Sequence, residues 1–598
     1  MIINTNRSAA LSPLAGALAL SVVASSVTGQ RVPDLRVDRL FALRPAMATA
    51  NGILYVVHHG VSPPLYPGGP DDGAHVARSV DGGATWESPV RIGTSAGSTT
   101  YGPAAAAAGR FAYASWVEDT GPNPFDAFAV ASQDGGATWP AAPTLISAGV
   151  ASGVNEVRLA ASGSAVYALF RPVVPGDTYF NHSLDGGRTW LAAATWLGPD
   201  TGPDGQIAAD GDRVYAVWTS RQRHIFLRRS LDRGTTWQLL QQLSTGASPP
   251  RRGLPQVAVD GDSVYVSWFA GPTAGGSDVF LARSQDRGTS WLPEVRLNTN
   301  PAASSVAHPP VLAAHSGRVF AAWEDDRDGA FDLYFNRSLD RGATWGAADI
   351  RLDLGDAPGA SDSLFSEMAA SAAAVVVVWQ DWRNGLTDVY CNRSLDGGAT
   401  WLPAAVRLDT GDAPGASSSG FGYQDLDMAT DGEEFYVVWE DWRPGPCPGF
   451  PGSYCPLPQA FFNIPFGTLP YGTATSGSGG IAPRLTWNGP AVQGTANDVD
   501  LRDGLGGAPA ALLWGAGPAS KISVPTLGGT VLVAPALAVP MILGGTPGSA
   551  GAGLGSLPVR LPAMPPSFGA NVNVQALLLD PGAPAGFAMS NAVELWIG

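Results

Sequence analysis

The sequence predicts an all-β chain: a β-propeller of about eight four-stranded blades, followed by a small β-sandwich-like domain. The octapeptide pattern Ser-x-Asp-[Gly/Arg]-Gly-x-[Thr/Ser]-Trp is written seven times, from Ser79 to Trp86 and on to Ser394 to Trp401, with aspartates Asp81, Asp134, Asp185, Asp232, Asp286, Asp340 and Asp396 spaced 47 to 56 residues apart. A period near 50 residues with strand-like flanks is the mark of a ring of small antiparallel sheets, one per repeat. Each repeat also holds an apolar alternating run that often ends in Trp. Eight such runs stand at Ile53–Val57, Phe111–Trp116, Ala165–Phe170, Val214–Trp218, Val264–Trp268, Val319–Trp323, Val375–Trp379 and Phe435–Trp439. Composition agrees: 75 Gly and 50 Pro among 598 residues suit many short strands and turns.

At the N-terminus, residues 1–29 read as an export leader. Arg7 precedes an apolar stretch from Ala9 to Val27, and Val27-Thr28-Gly29 supplies small residues before Gln30. A secreted or cell-surface location is the expectation. Cys447 and Cys455 bracket a seven-residue loop that a disulfide can staple in an oxidising compartment, while Cys391 falls in a strand as a buried spectator. The net charge of −16, carried with a single lysine and no basic run, argues against a nucleic-acid partner.

The octapeptide sits between two β-rich runs and so forms a hairpin turn. Its glycine supplies a positive φ, its Asp and Ser close the turn on the backbone, and its Trp folds beneath and buries apolar area. These roles are architectural, and seven copies of one reactive group serve no chemistry.

Residues 34–466 hold the propeller. The eighth repeat runs through Gln459–Asn463 without an octapeptide or a fourth strand. The segment Asp34-Leu35-Arg36-Val37-Asp38 resembles fourth strands elsewhere, such as Val406-Arg407-Leu408-Asp409. It therefore completes the last blade and leaves no free edge; seven blades with an odd end is the alternative. Residues 467–481, with Ser-Gly-Ser-Gly-Gly at 476–480, read as a linker. Residues 482–598 carry almost no charge and short apolar runs, a β-rich module whose bland role is attachment or spacing.

The octapeptides are those of Asp boxes, or bacterial neuraminidase repeats, and the chain resembles the sialidase-like propeller superfamily over residues 34–466. The C-terminal stretch Asn573–Leu577 with Ser590–Leu595 resembles modules of secreted planctomycete-like bacterial proteins. In the superfamily the boxes lie on the face opposite the active site, so the resemblance gives them no catalytic role.

Function is then expected on the face formed by the loops between second and third strands and the connections into each first strand. Three successive repeats place Trp323-Glu324-Asp325-Asp326-Arg327, Trp379-Gln380-Asp381-Trp382-Arg383 and Trp439-Glu440-Asp441-Trp442-Arg443 there. Arg327, Asp381, Trp382, Arg383, Asp441, Trp442, Arg443, Asp425 and Asp427 make a face suited to a glycan or surface polymer, with indoles stacking on sugar rings and charged groups bonding hydroxyls. The repeated Trp-x-Asp-x-Arg group has a second reading, Asp–Arg pairing across each hairpin as plain architecture. The duplicated Leu-Asp-x-Gly-Asp-Ala-Pro-Gly-Ala-Ser segments, from Leu352 and Leu408, offer oxygen atoms for calcium without matching a defined calcium loop; no other cofactor or metal is indicated.

The resemblance to sialidases implies a tyrosine nucleophile, its activating glutamate, an acid/base aspartate and three arginines on the substrate carboxylate. Tyr423, in Tyr-Gln-Asp-Leu, resembles the nucleophile, and Glu367 opens the preceding blade as its base. Arg327, Arg383 and Arg443 supply guanidinium groups by analogy of face. The family's first arginine signature is not intact, since Leu43 stands at its place in Leu43-Arg44-Pro45-Ala46-Met47. No aspartate beyond Asp71 and Asp72 offers itself as acid/base. Three functions stay open: glycan binding, exo-α-sialidase or other glycoside hydrolase activity, and a structural or adhesive role.

Overall fold

A computed structural model of the chain describes residues 35–37, 41–61, 73–83, 85–93, 100–119, 125–173, 176–199, 201–245, 251–271, 276–299, 310–372, 374–409, 413–416, 426–432, 434–442, 444–446, 454–456, 459–463, 468–471, 483–488, 496–516, 522–524, 529–531, 537–543, 546–560, 570–581, 583 and 587–597. All its regular elements are strands, and they divide into two compact units, Asp34–Pro465 and Phe466–Gly598. The leader, Tyr423, Asp425, Arg443, Cys447, Asp71, Asp72 and Asp412 lie outside the described residues, and with them the expected Cys447–Cys455 disulfide. No described helix is long and apolar enough to cross a membrane.

The first unit contains eight four-stranded antiparallel sheets. Seven are contiguous in sequence. The eighth joins Leu426–Thr430, Phe435–Asp441 and Gln459–Asn463 to the N-terminal strand Leu35–Arg36, with Leu35 opposite Phe462. First strands of successive blades pack side by side, and that of the eighth returns to that of the first. Met47 N donates to Asp427 Oδ2 across that junction at 2.7 Å. The core lies between the blades, where second-strand residues of each sheet interleave with third-strand residues of its neighbour. Trp116, Trp218, Trp268, Trp323, Trp379 and Trp439, which end second strands, are fully buried there.

The same four hydrogen bonds recur in all seven Asp boxes. In the fifth, Ser284 Oγ donates to Asp286 Oδ1 (2.7 Å), Gly288 N donates to Ser284 Oγ (2.8 Å), and Ser290 N and Oγ donate to the two Asp286 oxygens at 2.9 and 2.6 Å. The Ser290 hydroxyl, then its amide and the Ser284 hydroxyl, hold the Asp286 carboxyl down at about 2; the Thr138 hydroxyl does the same for Asp134. A group depressed on folding stabilises the native state above its unfolded value and ceases to do so as the pH falls through the folded one. The Asp134 and Asp286 boxes therefore hold from about pH 4 upward and loosen toward pH 2.

The box tryptophans depart from expectation. They are half-buried, and three of them pack edge-on against the third strand of the preceding blade: Trp86 on Phe462 (5.2 Å between ring centres), Trp237 on Phe180 and Trp401 on Phe335 (both 4.8 Å). The second box glycine faces the same residues. Gly83 has φ +91°, and a Cβ there would stand 2.2 Å from the Phe462 ring. Arginines before the box serine extend the contact to the next blade: Arg229 Nη1 donates to Thr289 Oγ1 at 2.8 Å and Arg283 Nη1 to the Arg341 carbonyl at 3.0 Å.

In the second unit, a five-stranded sheet and a three-stranded sheet (Arg484–Asn488, Ala496–Gly504, Gly553–Arg560) share one core of Leu485, Val499, Leu501, Leu512, Trp514, Val574 and Leu578, a small sandwich. Thr468–Tyr471 is a strand of the larger sheet, paired with Phe587–Ile597, so these residues of the expected linker belong to the module.

Phe462 closes the ring from the C-terminal side, 1 % exposed, stacked on Tyr436 and met edge-on by Trp86. Phe462→Ala is expected to cost about 3–5 kcal/mol of propeller stability, read as a lowered midpoint in thermal or denaturant unfolding. An unchanged midpoint would show that the ring does not depend on this contact.

Candidate active site

One residue from each first strand stands at the same level around the axis. The strands are Phe41–Ala50, Thr100–Ala108, Val154–Ser162, Thr201–Asp210, Arg251–Asp260, Val311–His315, Ser363–Ala370 and Leu426–Thr430. In each blade the position is the partner of the second-strand residue that precedes the buried Trp or its equivalent. The pairs are Ala46↔Val57, Ala104↔Ser115, Arg158↔Leu169, Gln206↔Val217, Gln256↔Ser267, Val311↔Ala322, Glu367↔Val378 and Asp427↔Val438. Polar groups therefore occupy blades 3, 4, 5, 7 and 8 of the ring, and small or apolar ones blades 1, 2 and 6. Except for Val311, all remain partly exposed.

Backbone irregularity aims several of them. Register shifts fall just before Ala46, Ala104, Gln256 and Glu367, and the residues inside these bulges, Arg44, Gly102, Leu254 and Phe365, all have φ between +49° and +57°. Three of these four residues carry side chains, which makes the left-handed conformation costly and concentrates strain beside the ring. Buried carboxylates hold two of the bulges. Glu324 Oε1, from the second strand of blade 6, accepts from Ser366 N (3.0 Å) and Ser366 Oγ (2.7 Å). Glu440, at the same place in blade 8, accepts from Arg44 N at 2.9 Å and from the Trp442 indole at 2.7 Å.

The ring carboxyls differ in electrostatic state. Burial, then the neighbouring Asp427 charge and more weakly Glu324, push Glu367 up to about 8 against the pull of Arg158. Burial also raises Asp427, but the amides of Met47 and Met428 bond its carboxylate at 2.7 and 2.8 Å and Arg158 adds attraction, leaving it at about 6. Burial raises Glu324 to about 7, with the Ser366 bonds opposing. At neutral pH Glu367 is an acid and Asp427 an anion on adjacent first strands. Arg158 answers them from blade 3, where Glu156 pairs with both Arg158 (2.5 Å) and Arg171 (2.8 Å).

The Trp/Asp/Arg loops are arranged otherwise. Asp325, Asp381 and Asp441 are buried. Arg383 Nη2 pairs with Asp381 at 2.6 Å and lies over the Tyr390 ring; Arg327 pairs with Asp325 and Asp349 and lies over Tyr334. The polar atoms of Arg327, Asp381, Arg383 and Asp441 are thus turned on one another or into the blade, the Asp–Arg pairing of the architectural reading. Trp382 and Trp442 remain half-exposed at this face. The duplicated segments are likewise engaged internally: Arg351 pairs with Asp332, Asp353 and Asp356, and Arg407 with Asp388 and Asp409. Among the described residues no group of three or more His, Cys, Asp or Glu is arranged to hold a metal ion.

Of the sequence-predicted site residues, Glu367 and Asp427 come together at the ring. Arg158, Gln206 and Gln256 were missed. No shared motif marks them: a Pro follows the bulge residue in blades 1, 2 and 5 (Arg44-Pro45, Gly102-Pro103, Leu254-Pro255), and only Gln256 stands directly after one.

Residues 67–263 match the model of the BNR repeat-like domain, and the chain carries the sialidase-like Asp-box repeat in a propeller. No curated protein matches the sequence. Solved structures similar to it include the α-L-arabinofuranosidase Arb93A of Fusarium graminearum (14 % identity, 52 % of this chain and 92 % of that one, TM-score 0.33). Also similar are an ulvan lyase of a polysaccharide lyase family (12 %, 68 % and 93 %, 0.37) and a Hadza microbial sialidase (16 %, 57 % and 63 %, 0.32).

Because Arg158 lowers both carboxyls, Arg158→Met is expected to move the Glu367 and Asp427 titrations upward together, read by infrared spectroscopy of the carboxyl band against pH. A shift in neither would place Arg158 outside their field.

Proposed function

We propose that this protein is an exported carbohydrate-active propeller that cleaves a glycosidic bond at the axial ring. The observation that carries the reading is the pair Glu367 and Asp427: two carboxyls on neighbouring first strands, one protonated and one ionised at neutral pH. Environments that push two carboxyls apart in this way divide acid from base or nucleophile. Glu367 would protonate the leaving oxygen. Asp427, fixed by two backbone amides, would meet the positive charge that develops at the sugar or activate the attacking water. The Asp-box resemblance points to glycosidic chemistry. The same resemblance makes Tyr423, four residues before Asp427, the candidate for a covalent step of the sialidase kind.

A second reading, glycan binding without cleavage, is favoured by Trp382 and Trp442. Their half-exposed indoles suit stacking on sugars even though the aspartates and arginines beside them are engaged. In both readings the leader at residues 1–29 brings the protein outside the cytoplasm to its glycan.

Cleavage needs Glu367 protonated, so it fades as the pH rises through about 8, and Asp427 ionised, so it fades as the pH falls through about 6. A bell-shaped profile between these limits is expected with fluorogenic aryl glycosides and polysaccharides as substrates. Glu367→Gln and Asp427→Asn should each lower kcat about 10²- to 10⁴-fold. Glycan binding by a folded protein that turns over none of them would establish the second reading.

A further inference from the structure

In a ring of eight, blade 3 faces blade 7 and blade 4 faces blade 8. Arg158 thus stands across the channel from Glu367, and Gln206 across from Asp427, with Gln256 beside Gln206. Both glutamine side chains are partly exposed, and neither amide has a hydrogen-bond partner among the described residues. A free primary amide offers two donor hydrogens and an accepting oxygen, so the two together present a neutral array that matches sugar hydroxyls. Among the eight described ring positions the one cation is Arg158, and it is already engaged. It pairs with Glu156 at 2.5 Å and lies in the field of the ionised Asp427. An acidic sugar entering the ring would meet the Asp427 charge with Arg158 already engaged, whereas a neutral one loses nothing by the charge balance. Ala46 and Ala104, on blades 1 and 2, take little volume and leave room at that side.

We propose that Gln206 and Gln256 form a recognition subsite for a neutral, hydroxyl-rich sugar unit, held so that its linkage lies at Glu367 and Asp427. The proposal rests on the reading of the axial ring as a glycan site and names its substrate class. Glu156 then acts as a specificity determinant, by keeping Arg158 and Arg171 occupied.

The test is calorimetric binding to the full chain carrying Glu367→Gln. The probes are neutral gluco-, galacto- and arabino-oligosaccharides against sialyllactose and oligoglucuronate. At least one neutral series should bind more tightly than the acidic probes. Gln206→Ala and Gln256→Ala should each weaken it roughly 5- to 10-fold, the loss of about one hydrogen bond, with unchanged thermal midpoints. Glu156→Gln, which releases two guanidinium groups, should raise affinity for the acidic probes. Tighter binding of the acidic probes by the parent, neutral binding indifferent to both glutamine substitutions, or no binding at all would each overturn the subsite. Turnover by the unsubstituted chain is assayed separately. Glutamine-dependent binding without turnover keeps the subsite and removes the cleavage reading; turnover indifferent to the glutamines does the reverse.

Discussion

The ring depends on one contact made over and over: the Asp-box turn of one blade pressed against the third strand of the blade before it. An antiparallel sheet of four short strands has two faces to bury and little interior of its own. Each box answers this with a rigid turn, closed by four hydrogen bonds around one ionised aspartate. The turn delivers a half-buried indole edge-on to its neighbour. At the first blade the contact is so close that only glycine fits at position 83 against Phe462. In this arrangement the aspartate's oxygens accept from the turn itself. Its work is to fix the shape of the turn, and at Asp134 and Asp286 the depressed carboxyl records how well the turn fits it.

Because that scaffold is repeated, the axial ring is not. The register of each blade is set by its buried second-strand core and, in blades 1 to 5 and 7, by a bulge in the first strand, which leaves one first-strand position per blade free to carry any side chain. The result is asymmetric: carboxyls on blades 7 and 8, Arg158 and two glutamines on blades 3 to 5, small residues elsewhere. Strain at Arg44, Leu254 and Phe365 and the clamps from Glu324 and Glu440 hold the backbone there in a conformation its residues would not choose alone. The local cost falls beside the ring, where the proposed chemistry would need fixed positions.

Much of the architecture was legible in the sequence because it is written in repeated, local terms. The octapeptides, the Trp-ended strands and the N-terminal segment that completes the last blade follow from periodicity, and the structure places Leu35–Arg36 against Gln459–Asn463 as that reading requires. Repetition misled where function was sought. The Trp-x-Asp-x-Arg loops drew attention because they recur, yet Asp381 and Arg383 serve each other, as Asp325 and Arg327 do. Asp427 and Glu367 were legible as residues at the entry of first strands, and the structure places both at the ring level. Their unequal protonation depends on amides of Met47 and Met428 and on Arg158, which is far away in sequence and across the channel. Gln206 and Gln256 carry no motif at all. Only the register of eight separate sheets puts them at one level.

The closing strand also governs when the molecule can exist. Leu35 and Phe462 are near opposite ends of the unit Asp34–Pro465, so the last blade cannot assemble until nearly all of that unit has been made. Contacts of such long range are entropically late and slow to form. Until then the first strand waits without a partner and the first box has no Phe462 to pack upon. If the chain is exported as proposed, delay of this kind is an advantage: a ring that cannot lock early stays threadable through a membrane, and it locks only after both ends have arrived on the same side.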